Sequence, residues 1–126
     1  MSAPEAPVRV LLVEDSDVYR ESLVFLLGTR ADLEIAAAVP DGASAIRACR
    51  EHAPDVVVLD YRLPDIDGAM VAADLPDDVA IVFLSASAGQ DEYDAASSAG
   101  AALVRKDEGI DALVRAVRRA AGRMSE

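Results

Sequence analysis

Four stretches of the chain carry an apolar run to a residue that can do chemistry and then turn polar. "VRVLLVED" ends on Glu14 and Asp15, "DVVVLD" on Asp60, "VAIVFLS" on Ser85 and "AALVRK" on Lys106. A loop reaching water explains one such ending, but not four whose groups complement one another. Brought to one place, three carboxylates repel each other, and a bound cation is the natural resolution. The donors are all oxygen, with no thiolate or imidazole beside them, which favours Mg²⁺ over zinc. His52 belongs to a different segment and reads as a surface residue or a weak cap of a helix C-terminus.

For these residues to meet, the four stretches must be parallel strands of one sheet. Their runs are continuously apolar, as in strands buried on both faces. Helical patterns lie between them. Asp17 is placed to cap a first helix, in which Val18, Leu23, Phe25, Leu26 and Leu27 suggest a broad buried stripe ending at Gly28. "LEIAAAV" reads as a second strand, at the sheet edge because it delivers only Pro40 and Asp41. "DGASAIRACREHAP" reads as a helix bounded by Asp41 and Pro54, and "GAMVAADLP" as one of about two turns before Pro76. A fourth helix is expected around Asp91 to Ala99. A fifth starts near Gly109, with Ile110, Leu113, Val114 and Val117 on one face. The pattern predicts an α/β fold, (βα)5, with a doubly wound five-stranded parallel sheet and helices on both faces. In such sheets the functional crevice lies beyond the carboxyl ends of the strands, where these residues fall.

The length of 126 residues suits one domain, expected over residues 8–122 between a flexible tail at 1–7 and a short tail at 123–126. A formal charge of -11 excludes nucleic-acid binding through a general basic surface. Cys49 is alone, so no disulfide framework exists and the thiol reads as a small packing group. "MSAPEAPVRV" lacks the features of a secretory signal, and no apolar run is long enough to span a membrane. A cytoplasmic setting is the expectation.

"LLVEDSD", "VVVLDYRLPDIDG", "FLSAS" and "VRKD" resemble, in order and spacing, the four signature blocks of bacterial two-component response-regulator receiver domains. The resemblance runs from about Val8 to Ala121. It implies a flavodoxin-like fold in which Asp60 accepts a phosphoryl group from a sensor histidine kinase or phosphotransfer protein. It makes Glu14 and Asp15 the acidic pair for Mg²⁺, Asp15 the more direct ligand, joined by Asp60 and the backbone carbonyl of Arg62. Ser85 becomes the switch hydroxyl and Lys106 the cation for a phosphoryl oxygen, while Ala86 is small enough to admit the donor. An acyl phosphate hydrolyses by itself, so such a domain serves mainly as a signalling switch.

The chain also departs from that pattern. Asp107 stands where the family often has proline, so a trans Lys106–Asp107 bond is expected. Lys-Asp here, with the "DGASAIRACREHAPDVVVLD" stretch, most resembles receivers that precede helix-turn-helix output domains. No such domain follows in this sequence, and both a stand-alone receiver and part of a longer regulator remain open. Leu103 takes the place of the usual switch aromatic, so activation is expected to travel by backbone shift or disorder in the fourth helix and fifth strand. Family behaviour implies a homodimer through the face of the fourth helix, fifth strand and fifth helix. Arg62, reaching toward the phosphoryl group or Glu14, and Ser87 are expected to modulate hydrolysis; Tyr61 is open between loop residue and functional group. Two other classes stay in view. A haloacid-dehalogenase-type phosphatase needs a second aspartate where Arg62 stands and its nucleophile on the first strand. An unphosphorylated pseudo-receiver would lack an acid, the acceptor or the lysine.

Overall fold

The alternation of strand and helix patterns is realised in the computed structural model, which describes residues 6–86 and 89–123. The elements are β1 (Val8–Val13), α1 (Asp17–Gly28), β2 (Leu33–Val39), α2 (Gly42–His52), β3 (Val56–Asp60), α3 (Gly68–Asp74), β4 (Ala80–Ser85), α4 (Gln90–Ala99), β5 (Ala102–Arg105) and α5 (Ile110–Ala120). A 3₁₀ turn at Lys106–Glu108 joins β5 to α5. All strand pairs are parallel, in the order β2-β1-β3-β4-β5, with β2 at the edge. The chain steps from β1 outward to β2 and then back across to β3. That reversal opens a crevice beyond the carboxyl ends of β1 and β3.

The core fixes where that rim lies. Alternate side chains Val10, Leu12, Val56, Val58, Val82 and Leu84 face α1 and α5. Leu11, Val13, Val57, Leu59 and Phe83 face the other side, packed with Cys49 of α2 and Val71 of α3. Burying each such side chain contributes roughly 1.5–3 kcal/mol. A one-residue slip of any central strand would send its set to the wrong face, so the strand endings are set by the packing behind them. Registers Leu12↔Val58 and Asp60↔Leu84 carry this alignment to the rim.

Two expectations for α1 are corrected. The N-cap is Ser16, whose side chain accepts from the Tyr19 N–H, and Asp17 is the first helical residue. The apolar stripe is narrower than expected: Leu23 and Leu27 are buried, while Val18 (78% exposed), Phe25 (70%) and Leu26 (37%) face outward. Helical geometry puts Val18 and Phe25 on the side opposite Leu27, and only one side can meet the sheet. Elsewhere the boundaries follow the turn residues. Leu75, extended before Pro76, stops α3 at seven residues. No peptide bond among the described residues is cis, so Lys106–Asp107 is trans. No helix among them is long and apolar enough to cross a membrane. The two outer tails expected from the sequence fall largely on residues outside those described.

Candidate functional site

Glu14 is fully buried just beyond β1 and is held from several sides. Its backbone N–H donates to the Val39 carbonyl (3.0 Å), and its own carbonyl accepts from Arg20 Nη1 (2.8 Å). Oε2 accepts from the Ser16 N–H at 2.9 Å, so the capping turn of α1 also orients the acid. Oε1 is buried and lies 2.9 Å from Lys106 Nζ, an ion pair whose angles fall outside hydrogen-bond geometry. Asp15, next in the chain, is exposed.

Asp60 ends β3 with only 5% of its surface exposed. Oδ1 accepts from the Arg62 N–H at 3.1 Å, and Oδ2 lies 3.2 Å from Lys106 Nζ. The backbone after it is pinned on both sides. Tyr61 N–H donates to the Leu84 carbonyl (2.9 Å), and Gly68 N–H donates to the Tyr61 carbonyl (2.8 Å). One carboxylate oxygen from each of Glu14, Asp15 and Asp60 lies within 4.8 Å of the others, so the three acids do converge. Asp65, farther along the same loop, accepts from the Gly42 and Ala43 N–H groups at the start of α2. Those donors, the Gly42 N–H foremost, hold its carboxyl below the usual range despite slight desolvation.

Lys106 opens the 3₁₀ turn, which is fixed by the Arg105 N–H donating to Glu108 Oε2 at 2.7 Å. Its ammonium sits between Glu14 and Asp60. Burial pulls its pKa down, but the Glu14 contact and the charges of Asp60 and Glu14 outweigh that and leave it raised. The face of the Tyr19 ring lies 4.8 Å from the same nitrogen. Burial pushes the Tyr19 phenol up, with Lys106 opposing. Ser85 is buried at the end of β4, paired in register with Arg105 of β5. Thus Glu14, Asp15, Asp60 and Lys106 meet, and Ser85 borders them at the same rim.

The sequence profile of the Response regulator receiver domain matches residues 10–118. The chain belongs to this family. It is a receiver domain of two-component signal transduction. It is 34% identical over 127 residues to the Mycobacterium tuberculosis transcriptional regulatory protein named NarL, covering 93% of this chain and 56% of that protein. To the DNA-binding transcriptional activator DevR/DosR of the same organism it is 36% identical, covering 88% and 53% respectively. The chain thus spans about half the length of these curated relatives. The solved signal receiver domain of NarL from M. tuberculosis superposes with a TM-score of 0.85 at 32% identity, covering 94% of this chain and 98% of that one.

Within the receiver domain, other expectations change. Arg62 does not pair with Glu14; Lys106 occupies that place. The Arg62 guanidinium instead lies 3.7 Å from Glu92 of α4 and 5.9 Å from the Tyr61 ring. Tyr61 is partly buried, its ring edge-on to Phe83 at 5.9 Å. Leu103 pairs with Phe83 in register and packs, partly buried, in the same core. Ser87 lies outside the described residues. Sequence reasoning missed Ser16, Tyr19, Asp65 and Glu92. Tyr19 had a signal, since it falls one helical turn beyond the acid pair; the burial of Glu92 had none.

Proposed function

We propose that Asp60 is the phosphoacceptor of this receiver domain, taking a phosphoryl group from a phosphohistidine of a sensor kinase or phosphotransfer protein. The observation that carries this reading is the convergence of Glu14, Asp15 and Asp60 with Lys106 at the carboxyl rim of a parallel sheet. One Asp60 oxygen would attack phosphorus in line as the P–N bond to the donor breaks, leaving an acyl phosphate and a neutral imidazole once the ring is protonated. Lys106 would set its charge against a developing phosphoryl oxygen, and Ser85, at the end of β4, would offer a hydroxyl to another. Ala86, exposed and small, leaves the approach open.

The donor set fits Mg²⁺. It is all carboxylate and carbonyl, and it includes the buried Glu14 Oε1, which meets the Lys106 ammonium outside hydrogen-bond geometry. Asp15, the exposed acid, would be the more direct ligand, with Asp60 and the Arg62 carbonyl beside it. Bound there, the cation supplies charge neutralisation between the acids and the phosphoryl oxygens.

Arg62 stands where a haloacid-dehalogenase-type phosphatase needs its second acid, and all the acids and the lysine that a pseudo-receiver would lack are present. For partners, a groove of about 600 Å³ runs between the start of β4, β5 and α5, past Leu103, Ala112, Arg115 and Arg119, and reaches the end of α4 at Ala99; we assign the adjoining α4–β5–α5 face to a homodimer. The output coupled to the domain would be transcription, as the names of the relatives suggest.

The deciding experiment is incubation with Mg²⁺ and acetyl phosphate, followed by intact mass. A single phosphoryl adduct on the wild type, absent in Asp60→Asn, is expected. A wild type that stays unmodified would overturn the reading.

A further inference from the structure

Among the described residues the Lys106 ammonium has two anionic neighbours, Glu14 Oε1 at 2.9 Å and Asp60 Oδ2 at 3.2 Å. Its third neighbour is the Tyr19 ring, whose centroid lies 4.8 Å from Nζ, inside the range in which a ring face attracts a cation. The ring is placed there by a short relay. Tyr19 N–H donates to Ser16 Oγ (3.3 Å), and Ser16 N–H donates to Glu14 Oε2 (2.9 Å). Arg20, the next residue, donates to the Glu14 carbonyl. The first turn of α1 is therefore registered on the same acid that the lysine touches.

The two carboxylates and the ring act differently when a phosphoryl group arrives. Phosphorylation turns the Asp60 carboxylate into a mixed anhydride and moves the negative charge onto the phosphoryl oxygens, and a bound cation would take up the charge of Glu14. A lysine on a flexible four-carbon stem would then have to pass from its two carboxylate contacts to a phosphoryl oxygen. The ring carries no net charge, so neither event cancels its attraction, and it does not compete as an anion for the incoming group.

We propose that Tyr19 is a positioning residue for Lys106: its ring face holds the ammonium at the rim through the exchange from carboxylate to phosphoryl oxygen. This role rests on Asp60 being the phosphoacceptor.

The test uses the full chain with Tyr19→Phe, Tyr19→Leu and phenylalanines carrying one, two or three ring fluorines at position 19. Fluorine weakens the ring's attraction for a cation while nearly keeping its shape. Initial rates of adduct formation with acetyl phosphate and Mg²⁺ are read by intact mass. Tyr19→Phe is expected to stay within about twofold of wild type, the rate to fall stepwise with fluorine number, and Tyr19→Leu to be about threefold to tenfold slower. Thermal midpoints across the fluorinated series should match Tyr19→Phe. Without any donor, the Lys106 ε-methylene protons should show a ring-current shift in wild type and Tyr19→Phe that Tyr19→Leu loses. A fluorine series with constant rates, or a Lys106 shift unchanged in Tyr19→Leu, overturns the proposal. A wild type that forms no adduct instead overturns the phosphoacceptor reading, and this role with it.

Discussion

Lys106 Nζ stands 2.9 Å from Oε1 of Glu14, a side chain with 1% of its surface exposed. The ammonium is thus a counter-charge of a carboxylate that water cannot reach. Removing one partner of a buried pair leaves the other uncompensated. Lys106→Met should lose about 2 kcal/mol of stability without metal, less than a fully buried pair because the lysine is a quarter exposed. Added Mg²⁺ should raise the melting temperature of Lys106→Met more than that of wild type, since the cation then enters an uncompensated acidic site. Equal Mg²⁺ responses would mean that ammonium and metal do not share these oxygens.

Gly68 bears on the geometry of the acceptor. A Cβ built there would lie 2.9 Å from the Asp60 carbonyl oxygen and 2.9 Å from Tyr61 Cα, both backbone atoms that cannot rotate aside. The start of α3 closes against the acceptor's own backbone because nothing projects between them. Gly68→Ala should cost about 1–3 kcal/mol in urea unfolding and slow phosphorylation by displacing Asp60. A variant with unchanged stability and adduct rate would show that this close approach is dispensable.

The sheet and rim were legible because their signals are local. The central strands β3 and β4 are continuous apolar runs that stop at Asp60 and Ser85, and the edge strand β5 delivers Lys106 just beyond its end. What was not legible depends on which side of a helix meets the sheet. Val18 and Phe25 look like core residues in a window of sequence, yet they lie opposite Leu27 and are exposed. Glu92 is the converse, a charged residue in a polar stretch that packing buries. Ser16 and Asp17 are both capping residue types in adjacent positions, and only the backbone conformation of Ser16 separates them.

Arg62 and Glu92 join the loop after the acceptor to the first turn of α4, at 3.7 Å, with Glu92 almost wholly buried and Arg62 largely exposed. Arg62→Ala leaves that carboxylate without its cation. First-turn amides of α4 should then exchange about threefold to tenfold faster, and Glu92→Gln added to Arg62→Ala should restore much of the protection. In this chain, with Leu103 in place of an aromatic, the same face should also change its exchange when a beryllofluoride mimic occupies Asp60. Identical exchange with and without the mimic would defeat transmission through α4 and β5.

Asp32 and Arg118 tie the turn before β2 to α5 through two hydrogen bonds, 2.7 and 3.0 Å. The Arg118 hydrogen bond, opposed by slight desolvation, holds the Asp32 carboxyl below its ordinary value of 3.8. A carboxyl lowered in the folded state binds its proton more readily when unfolded. Its contribution is therefore complete above 3.8 and is lost as pH falls through the lower folded value. The Asp32 side chain is 43% exposed, so water screens the pair and its contribution should be below about 1 kcal/mol. Between neutral pH and pH values below 3.8, the unfolding free energy of wild type should fall by more than that of Asp32→Asn. Parallel losses in the two proteins would place the acid sensitivity elsewhere, with Asp65, which accepts from the start of α2 across the loop after β3, the next carboxylate to replace.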